Sequence, residues 1–549
     1  MEPPYLDVIT PAGRQQVSLA RLPLTIGRAS QNQLVIEDLL ASRQHCVIEK
    51  NAQGIVLRDL NSRNGTRINE QKVESAVLKP GDIFTIGKIK FRYVDIKRSV
   101  AEAKAPATNA APSPSNSLTE ALRQLAGLDT PGSPQPDQLS LVDTRGNTVH
   151  AQRTTSDDEN EKISSESITV LRLLLLAAMR TRASDIHIEP KGEKNQVRLR
   201  VDGIMVDAAT LPNALAGRVY GSIKVLAEMD ITQSKAIQDG HFSANLGLSR
   251  RVDYRVSFTP TMYGQKLVVR VLDMASAPQY LDQLNLPPWM LQDLRKTSRQ
   301  SAGMILVCGP TGSGKTTTLY SILRDVDVSQ RNVITIEDPV EYQIEGVTQM
   351  PIDTKQGNTF HSMLRSVLRQ DPDVLLVGEI RDAETAATAM QAAMTGHLVL
   401  STVHSKDTVG TIFRLLDLGV EPFLVASSLN LILAQRLIRL LCPHCKGGRK
   451  PTPSETMQIC RPGSEVDRIY YAVGCPKCFN TGYNGRRALF ELLTMNDSLR
   501  DIILKKPTMG DIRDELKRSV FTSLQDSGHK LVADGTTSME EVERVAGMT

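Results

Sequence analysis

Ten residues, GPTGSGKTTT from Gly309 to Thr318, follow directly on the apolar run MILVC, Met304 to Cys308. A glycine-rich turn between a buried strand and a helix lets backbone N–H groups approach phosphate oxygens, and the helix N-terminus adds a favourable field. The pattern GxxxxGK[ST] is met in full by Gly309, Pro310, Thr311, Gly312, Ser313, Gly314, Lys315 and Thr316, with Thr317 next. In such a loop Lys315 reaches the β- and γ-phosphates and Thr316 sets a hydroxyl on Mg²⁺, so ATP with Mg²⁺ is the expected ligand. A cradle alone does not hydrolyse: a water must be oriented and a carboxylate must complete the metal shell. Two acidic stretches follow strand-like runs. TIEDPVE offers Glu337, Asp338 and Glu341, and DVLLVGEIRD offers Asp373, Glu379, Arg381 and Asp382. Carboxylates at the carboxyl ends of parallel strands face the crevice where ligands sit. Glu337 joins Thr316 as a candidate Mg²⁺ ligand. His397 and His404 bracket a further strand, HLVLSTVH; at that separation on a strand they fall on opposite faces, so spacing does not pair them.

A second chemistry is written in sulfur. Cys442-Pro-His-Cys445 and Cys475-Pro-Lys-Cys478 are two CxxC knuckles. Four thiolates from such a pair complete a closed tetrahedral set suited to structural Zn²⁺. A redox pair and His444 as a substitute ligand are the alternatives. Cys46, Cys308 and Cys460 read as ordinary packed or surface thiols.

The elements that must position these groups change rhythm along the chain. From residue 281 onward, MILVC, VITIE, DVLLVGE and HLVLSTVH alternate with helix-like stretches such as TTTLYSILRDV and AETAATAMQAAM. That alternation predicts βα units on a parallel sheet. Residues 1–98 instead read as short strands separated by NAQG, NSRNG and KPGD, the pattern of an all-β sandwich. Between the two parts, residues 99–165 carry Pro106, Pro112, Pro114, Pro131, Pro134 and Pro136 and no Phe, Trp or Tyr. Such a composition buries too little apolar surface to offset ordering entropy. It predicts a flexible, disordered linker with one short helix at TEALRQLAGL.

Composition narrows the function classes. A chain that is 40% hydrophobic and 23% charged belongs with soluble globular proteins. Its formal net charge of +4 is too mild, and its 4% aromatic content too low, for a nucleic-acid-tracking surface. The start MEPPYLDVIT has neither a basic nor an apolar leader region, so no signal peptide is expected. The run LLLLAAM falls well short of the roughly 20 residues that span a bilayer.

The back part resembles one family in many motifs that keep the family's order. ASDIHIEP (Ala183 to Pro190) and RLRVDG (Arg198 to Gly203) come first. TIEDPVE resembles its acidic box, LRQDPDVLLVGEIRD its Walker B segment and TGHLVLSTVHS its histidine box. VEPFLVASSLNLILAQRLIRLLCPHC and TGYNGRRALFELL follow. The resemblance, over about residues 165–495, is to the ATPases of type II secretion and type IV pilus assembly. It implies an α+β, PAS-like N-terminal ATPase domain at 166–280 and a RecA-like α/β P-loop domain at 281–549, with the zinc module at 440–490. It implies Glu341 as general base or water-orienting residue, Glu379 as the Walker B carboxylate near Mg²⁺, and His404 as a γ-phosphate sensor. It implies Arg255 and Arg270 as arginines supplied to the nucleotide from the preceding domain. It also implies a hexamer working in the cytoplasm against an inner-membrane platform protein, with no nucleic acid among its partners. One departure is visible: where the family has Thr-Asn-Asp after the second histidine, this chain has Ser405, Lys406 and Asp407.

The front part resembles a forkhead-associated domain, through LTIGRAS, ASRQHCVIE, LNSRNGTRIN and KPGDIFTIG. That resemblance implies binding of a phosphothreonine-containing protein. Arg28, Ser42, Arg43 and Asn64 would contact the phosphate and peptide backbone, while Gly27, His45 and Gly65 shape the loops. Arg63 stands where the family often has Ser or Thr. A phosphopeptide-binding scaffold with an idle ATPase fold is the competing reading of the whole chain. Nothing in 1–165 supports cyclic-dinucleotide binding.

Overall fold

The computed structural model describes residues 4–10, 13–19, 22–36, 38, 40–51, 54–68, 71–78, 82–87, 89–94, 120, 122–125, 134–149, 159–247, 250–459 and 466–547. They divide between two units, Met1–Ala111 and Pro112–Thr549. Much of the expected linker, and Cys460, lie outside the described residues.

The first unit is a β sandwich. Its first sheet runs β2 (Gly13–Ser18), β1 (Tyr5–Thr10), β11 (Ile89–Val94), β10 (Ile83–Ile86), β7 (Thr66–Ile68), β8 (Gln71–Val73). Its second runs β4 (Leu34–Val35), β3 (Leu24–Gly27), β5 (Cys46–Asn51), β6 (Gly54–Asp59), β9 (Ser75–Val77). Alternation within strands sets the inner faces. In β10, Phe84 and Ile86 are buried while Ile83 is exposed. Phe84 and Phe91 stack at 4.7 Å between centroids, in a core shared with Leu6, Ile26, Ile48 and Leu57.

The second unit holds two sheets. The first is antiparallel, in the order β13 (Thr148–Val149), β12 (Leu139–Val142), β17 (Gln238–Leu246), β18 (Arg250–Thr261), β19 (Gly264–Leu272), β14 (Ala183–Lys191), β15 (Lys194–Val201), β16 (Ile204–Pro212). Helices Glu159–Thr181 and Asn213–Leu226 share its core. The LLLLAAM run lies in the first of these, buried against the sheet. No helix among the described residues is long and apolar enough to cross a membrane. Residues 134–149 depart from the expected linker. Leu139, Leu141 and Val142 are buried, and β12 pairs with β17 as part of the sheet. A short apolar alternation closed by the Asp143–Gly146 turn was diluted by the prolines and polar residues around it.

The second sheet runs β22 (Thr348–Pro351), β21 (Val333–Glu337), β23 (Val374–Val377), β24 (Leu398–Val403), β20 (Gly303–Cys308), β25 (Leu429–Leu441), β28 (Tyr483–Thr494), all parallel except β28. Along β20, Met304, Leu306 and Cys308 enter one core while Ile305 and Val307 enter another. Burial on both faces is why this strand reads as an unbroken apolar run. Between β25 and β28, β26 (Gly447–Arg449) pairs with β27 (Ile469–Tyr471).

Candidate functional sites

The loop after β20 opens at the carboxyl end of an interior strand of the sheet, between β24 and β25, and leads into helix Lys315–Asp325. Gly309, Gly312 and Gly314 all take positive φ, at 150°, 76° and 88°. At Gly309 a Cβ would also fall 2.4 Å from the Gln435 carbonyl oxygen, so the tight turn requires glycine there. Lys315 Nζ donates to the carbonyls of Gly309 (3.0 Å) and Pro310 (3.1 Å), curled back over the loop. Burial pushes its ammonium below the usual range, and the Glu379 carboxylate pulls the other way. Thr316 is exposed at the first turn, with Thr317 beside it.

Two residues that motif reading passed over hold this loop. Gln435, in β25 and 2% exposed, donates from Nε2 to the Ser313 carbonyl (2.8 Å) and accepts from Thr318 Oγ1 (2.7 Å). Arg436 donates from Nη2 to the Lys406 carbonyl (2.5 Å). The available signal was a Gln-Arg pair inside a mostly apolar strand, because buried polar groups need partners.

The carboxylates divide. Glu379, just past β23, meets Arg381 at 2.5 Å and His404 Nε2 at 3.5 Å. Glu341 pairs with Arg255 at 3.0 Å, and Arg255 also donates to the Val340 carbonyl (3.2 Å). One arginine of the antiparallel domain therefore does reach the acidic box. Arg270 does not: it pairs with Asp185 at 3.3 Å, its side chain 63% exposed. Glu337 is 4% exposed, bonded to Tyr320 Oη, Thr335 Oγ1 (2.6 Å) and Gln349 Nε2 (3.3 Å). His397 sits just before β24 and bonds Ala392 O at 2.9 Å.

Beside the loop lies a cavity of about 530 Å³. Pro310, Thr311, Gly312 and Ser313 line it together with Arg436 and with residues of the β15–β16 turn and the C-terminal helix Met539–Ala546. The turn residue Asp202 accepts from the Gly485 amide (2.7 Å) and lies 3.5 Å from Arg486, both in β28.

The four knuckle sulfurs lie within 4.8 Å of one another. Cys442–Cys475, Cys445–Cys478 and Cys475–Cys478 are 4.0, 3.8 and 3.7 Å apart. Tetrahedral thiolates around Zn²⁺ stand about 3.8 Å apart, so the cluster could bind zinc as it stands. No disulfide is formed among the described cysteines, and the cluster is complete without His444.

In the sandwich, Arg28, Ser42, Arg43 and Asn64 sit on neighbouring loops. Arg28 N donates to Ser42 O (3.0 Å), Ser42 Oγ accepts from Arg63 N (3.0 Å), and Asn64 Nδ2 reaches the Leu40 carbonyl (2.7 Å). Beneath them His45 is fully buried and accepts from Ser42 N at Nδ1 (3.0 Å). Burial pushes its imidazole below the usual range, against the pull of Asp59. At Gly27 a Cβ would meet the Arg43 carbonyl oxygen at 2.5 Å. Arg28 and Arg43 are exposed and pair with no carboxylate among the described residues, leaving two guanidinium groups facing solvent above a fixed hydroxyl.

Comparison with known proteins follows the same division. The model for "Type II/IV secretion system protein" matches residues 160–544, and that for the FHA (forkhead-associated) domain matches 24–87. The type II secretion system protein HxcR of Pseudomonas aeruginosa is 42% identical over 378 residues, 69% of this chain and 77% of that protein. The type IV pilus assembly ATPase PilB of Myxococcus xanthus is 40% identical over 402 residues, 72% of this chain and 70% of that protein. The type II secretion system ATPase E of Vibrio cholerae is 41% identical over 378 residues, 69% of this chain and 75% of that protein. Among solved structures, the Legionella pneumophila ATPase DotB is alike in fold, with a TM-score of 0.53 at 22% identity over 69% of this chain and 95% of that one.

Proposed function

The chain belongs to the type II/IV secretion system protein family, as an ATPase carrying an FHA domain, and on that premise we propose that it is a hexameric motor that spends ATP on building a type IV pilus or a type II secretion pseudopilus. The observation that carries this is the Glu341–Arg255 pair at 3.0 Å. It joins the acidic box of the parallel sheet to the antiparallel domain, so the arrangement around the phosphates depends on where that domain sits.

In this reading the loop amides and Lys315 bind the phosphates. Mg²⁺, when bound, neutralises charge developing on the transferred phosphoryl group. Thr316 would hold it, with Glu379 as a carboxylate near it and Glu337 as a buried one. Glu341 orients the attacking water, with Arg255 fixing its carboxylate. His404, against Glu379, reports the γ-phosphate. Arg270 faces outward and completes a nucleotide site of the ring. A guanidinium fork suits charge spread over equatorial oxygens. Zn²⁺ on Cys442, Cys445, Cys475 and Cys478 is structural, since no coordination position is left for chemistry.

The motor works in the cytoplasm, against the inner face of the membrane and a platform protein within it. The front module binds a phosphothreonine-containing protein through Arg28, Ser42, Arg43 and Asn64 and recruits or regulates the motor. Nucleic acid is not a partner in this reading, and single-stranded DNA is expected to leave hydrolysis unstimulated. Lys315→Ala and Glu341→Gln each reduce phosphate release from ATP to background; turnover at the wild-type rate in both would sink the reading.

A further inference from the structure

The acidic box is held from inside the molecule by the helix that the phosphate loop begins. Tyr320 lies in that helix, the same element as Lys315, and is wholly buried. A phenol has one proton to give and an oxygen that can accept. The proton goes to Glu337 Oε2. Glu337 Oε1 accepts from Thr335 Oγ1 (2.6 Å) and Gln349 Nε2 (3.3 Å), so the carboxylate is engaged at both oxygens. Burial, then the bond to Glu337, pushes the Tyr320 phenol above its usual range and keeps the proton on it. Its oxygen is left to accept, and does so from the Glu341 amide (3.4 Å) and from Gln349 Nε2 (3.4 Å).

The same stretch of backbone is gripped at two further points. Gln349, in β22, donates to the Tyr342 carbonyl (3.0 Å) and accepts from Ile344 N (2.7 Å). The rings of Tyr320 and Tyr342 meet edge to face, 4.5 Å apart between centroids at 75°. Glu341 is thus tied at its backbone, while its carboxylate, 35% exposed, is free to reach outward to Arg255. Phenylalanine would make the same ring contact; what the hydroxyl adds is the link between the helix and the amide.

We propose that the Tyr320 hydroxyl, braced by Gln349, is the positioning group for Glu341, fixing the water-orienting residue to the helix that carries Lys315. The proposal rests on the ATPase reading above and adds a residue to it. Tyr320 touches no nucleotide in this scheme. It acts through Glu341, so its loss is felt in the chemical step and not in binding.

The test uses the full-length protein, with ATP and ADP as probes. In Tyr320→Phe the kcat falls about 30-fold, within the roughly 100-fold that a misplacement of about 1 Å costs, while the KM for ATP and the Kd for Mg-ADP stay within about twofold of wild type. A merely structural role would loosen the phosphate loop as well and move binding together with turnover. Gln349→Met leaves Tyr320 whole and removes the brace. It shows the same split at about fivefold, the scale of one neutral hydrogen bond, and it carries the test if Tyr320→Phe does not fold. Wild-type kcat in the folded variant, or ADP affinity lost in step with kcat, overturns the assignment of Tyr320 while the ATPase reading stands. Absence of ATP turnover in the wild-type protein overturns both.

Discussion

The two candidate phosphate sites of the molecule are built by opposite means. In the parallel sheet the cradle is backbone: three glycines at positive φ, a helix N-terminus and one folded-over lysine. In the sandwich it is side chains: two exposed arginines and a hydroxyl on loops steadied by a buried histidine. The surroundings differ more than the donors do. Around the first cradle stand Glu379, Glu341 and Arg255, groups that can place a water and a metal. In the second, Asp59 is spent on the turn, accepting from Ser62 N and Oγ and from Thr66 Oγ1 at 2.6–2.7 Å. One site is equipped to turn its phosphate over and the other to hold it.

The strongest way to break that contrast is at Arg255. Arg255→Ala frees the Glu341 carboxylate that it fixes and lowers kcat about 10³-fold, within the range for a positioned acid–base group, as measured by phosphate release at saturating ATP. A kcat within a few-fold of wild type would leave the first site with no advantage over the second. Next comes Arg28→Ala, expected to weaken phosphothreonine-peptide binding about 100-fold, by loss of a charge-assisted contact worth about 3 kcal/mol. Unchanged affinity in a titration with labelled peptide would reject the site, and any change of ATP turnover in the same variant measures coupling between the two sites.

A smaller effect sharpens the idea that the first cradle is held from behind. Gln435→Ala strands the Ser313 carbonyl and the Thr318 hydroxyl and costs about 2 kcal/mol of stability; a denaturant midpoint equal to wild type would show that the loop stands without it. The smallest concerns His45. Its folded pKa is depressed by burial, so as pH falls the unfolded chain takes up the proton first. Stability of the sandwich is therefore full above the ordinary imidazole pKa and declines below it. Chemical denaturation between about pH 7.5 and about pH 5.5 shows the decline, and His45→Gln flattens it.

Much of this was legible in the sequence because some chemistry leaves little choice of residue. A phosphate turn needs glycine at fixed positions, and a tetrahedral thiolate set needs two knuckles, so Gly309 to Thr316 and the four cysteines announce themselves. What escaped depends on neighbours distant in the chain. Gln435 matters because β25 lies beside β20, and nothing local in ILAQRL says so. Arg255 and Arg270 read alike on paper, yet the sheet register sends one to Glu341 and the other to Asp185. Residues 139–149 were hidden by their surroundings, since their apolar alternation is shorter than the window that defined the linker. The acidic box showed a similar limit: three carboxylates in TIEDPVE look equivalent until Tyr320 and Thr335 turn Glu337 inward.

The turn at Asp202 has a mechanical meaning. Its carboxylate is fastened to β28, the strand that leaves the second cysteine knuckle, while Asp202 itself lines the cavity beside the phosphate loop. The cysteine module is therefore joined to that cavity by a short path, through the Asp202–Gly485 hydrogen bond and the Asp202–Arg486 ion pair and not through slack chain.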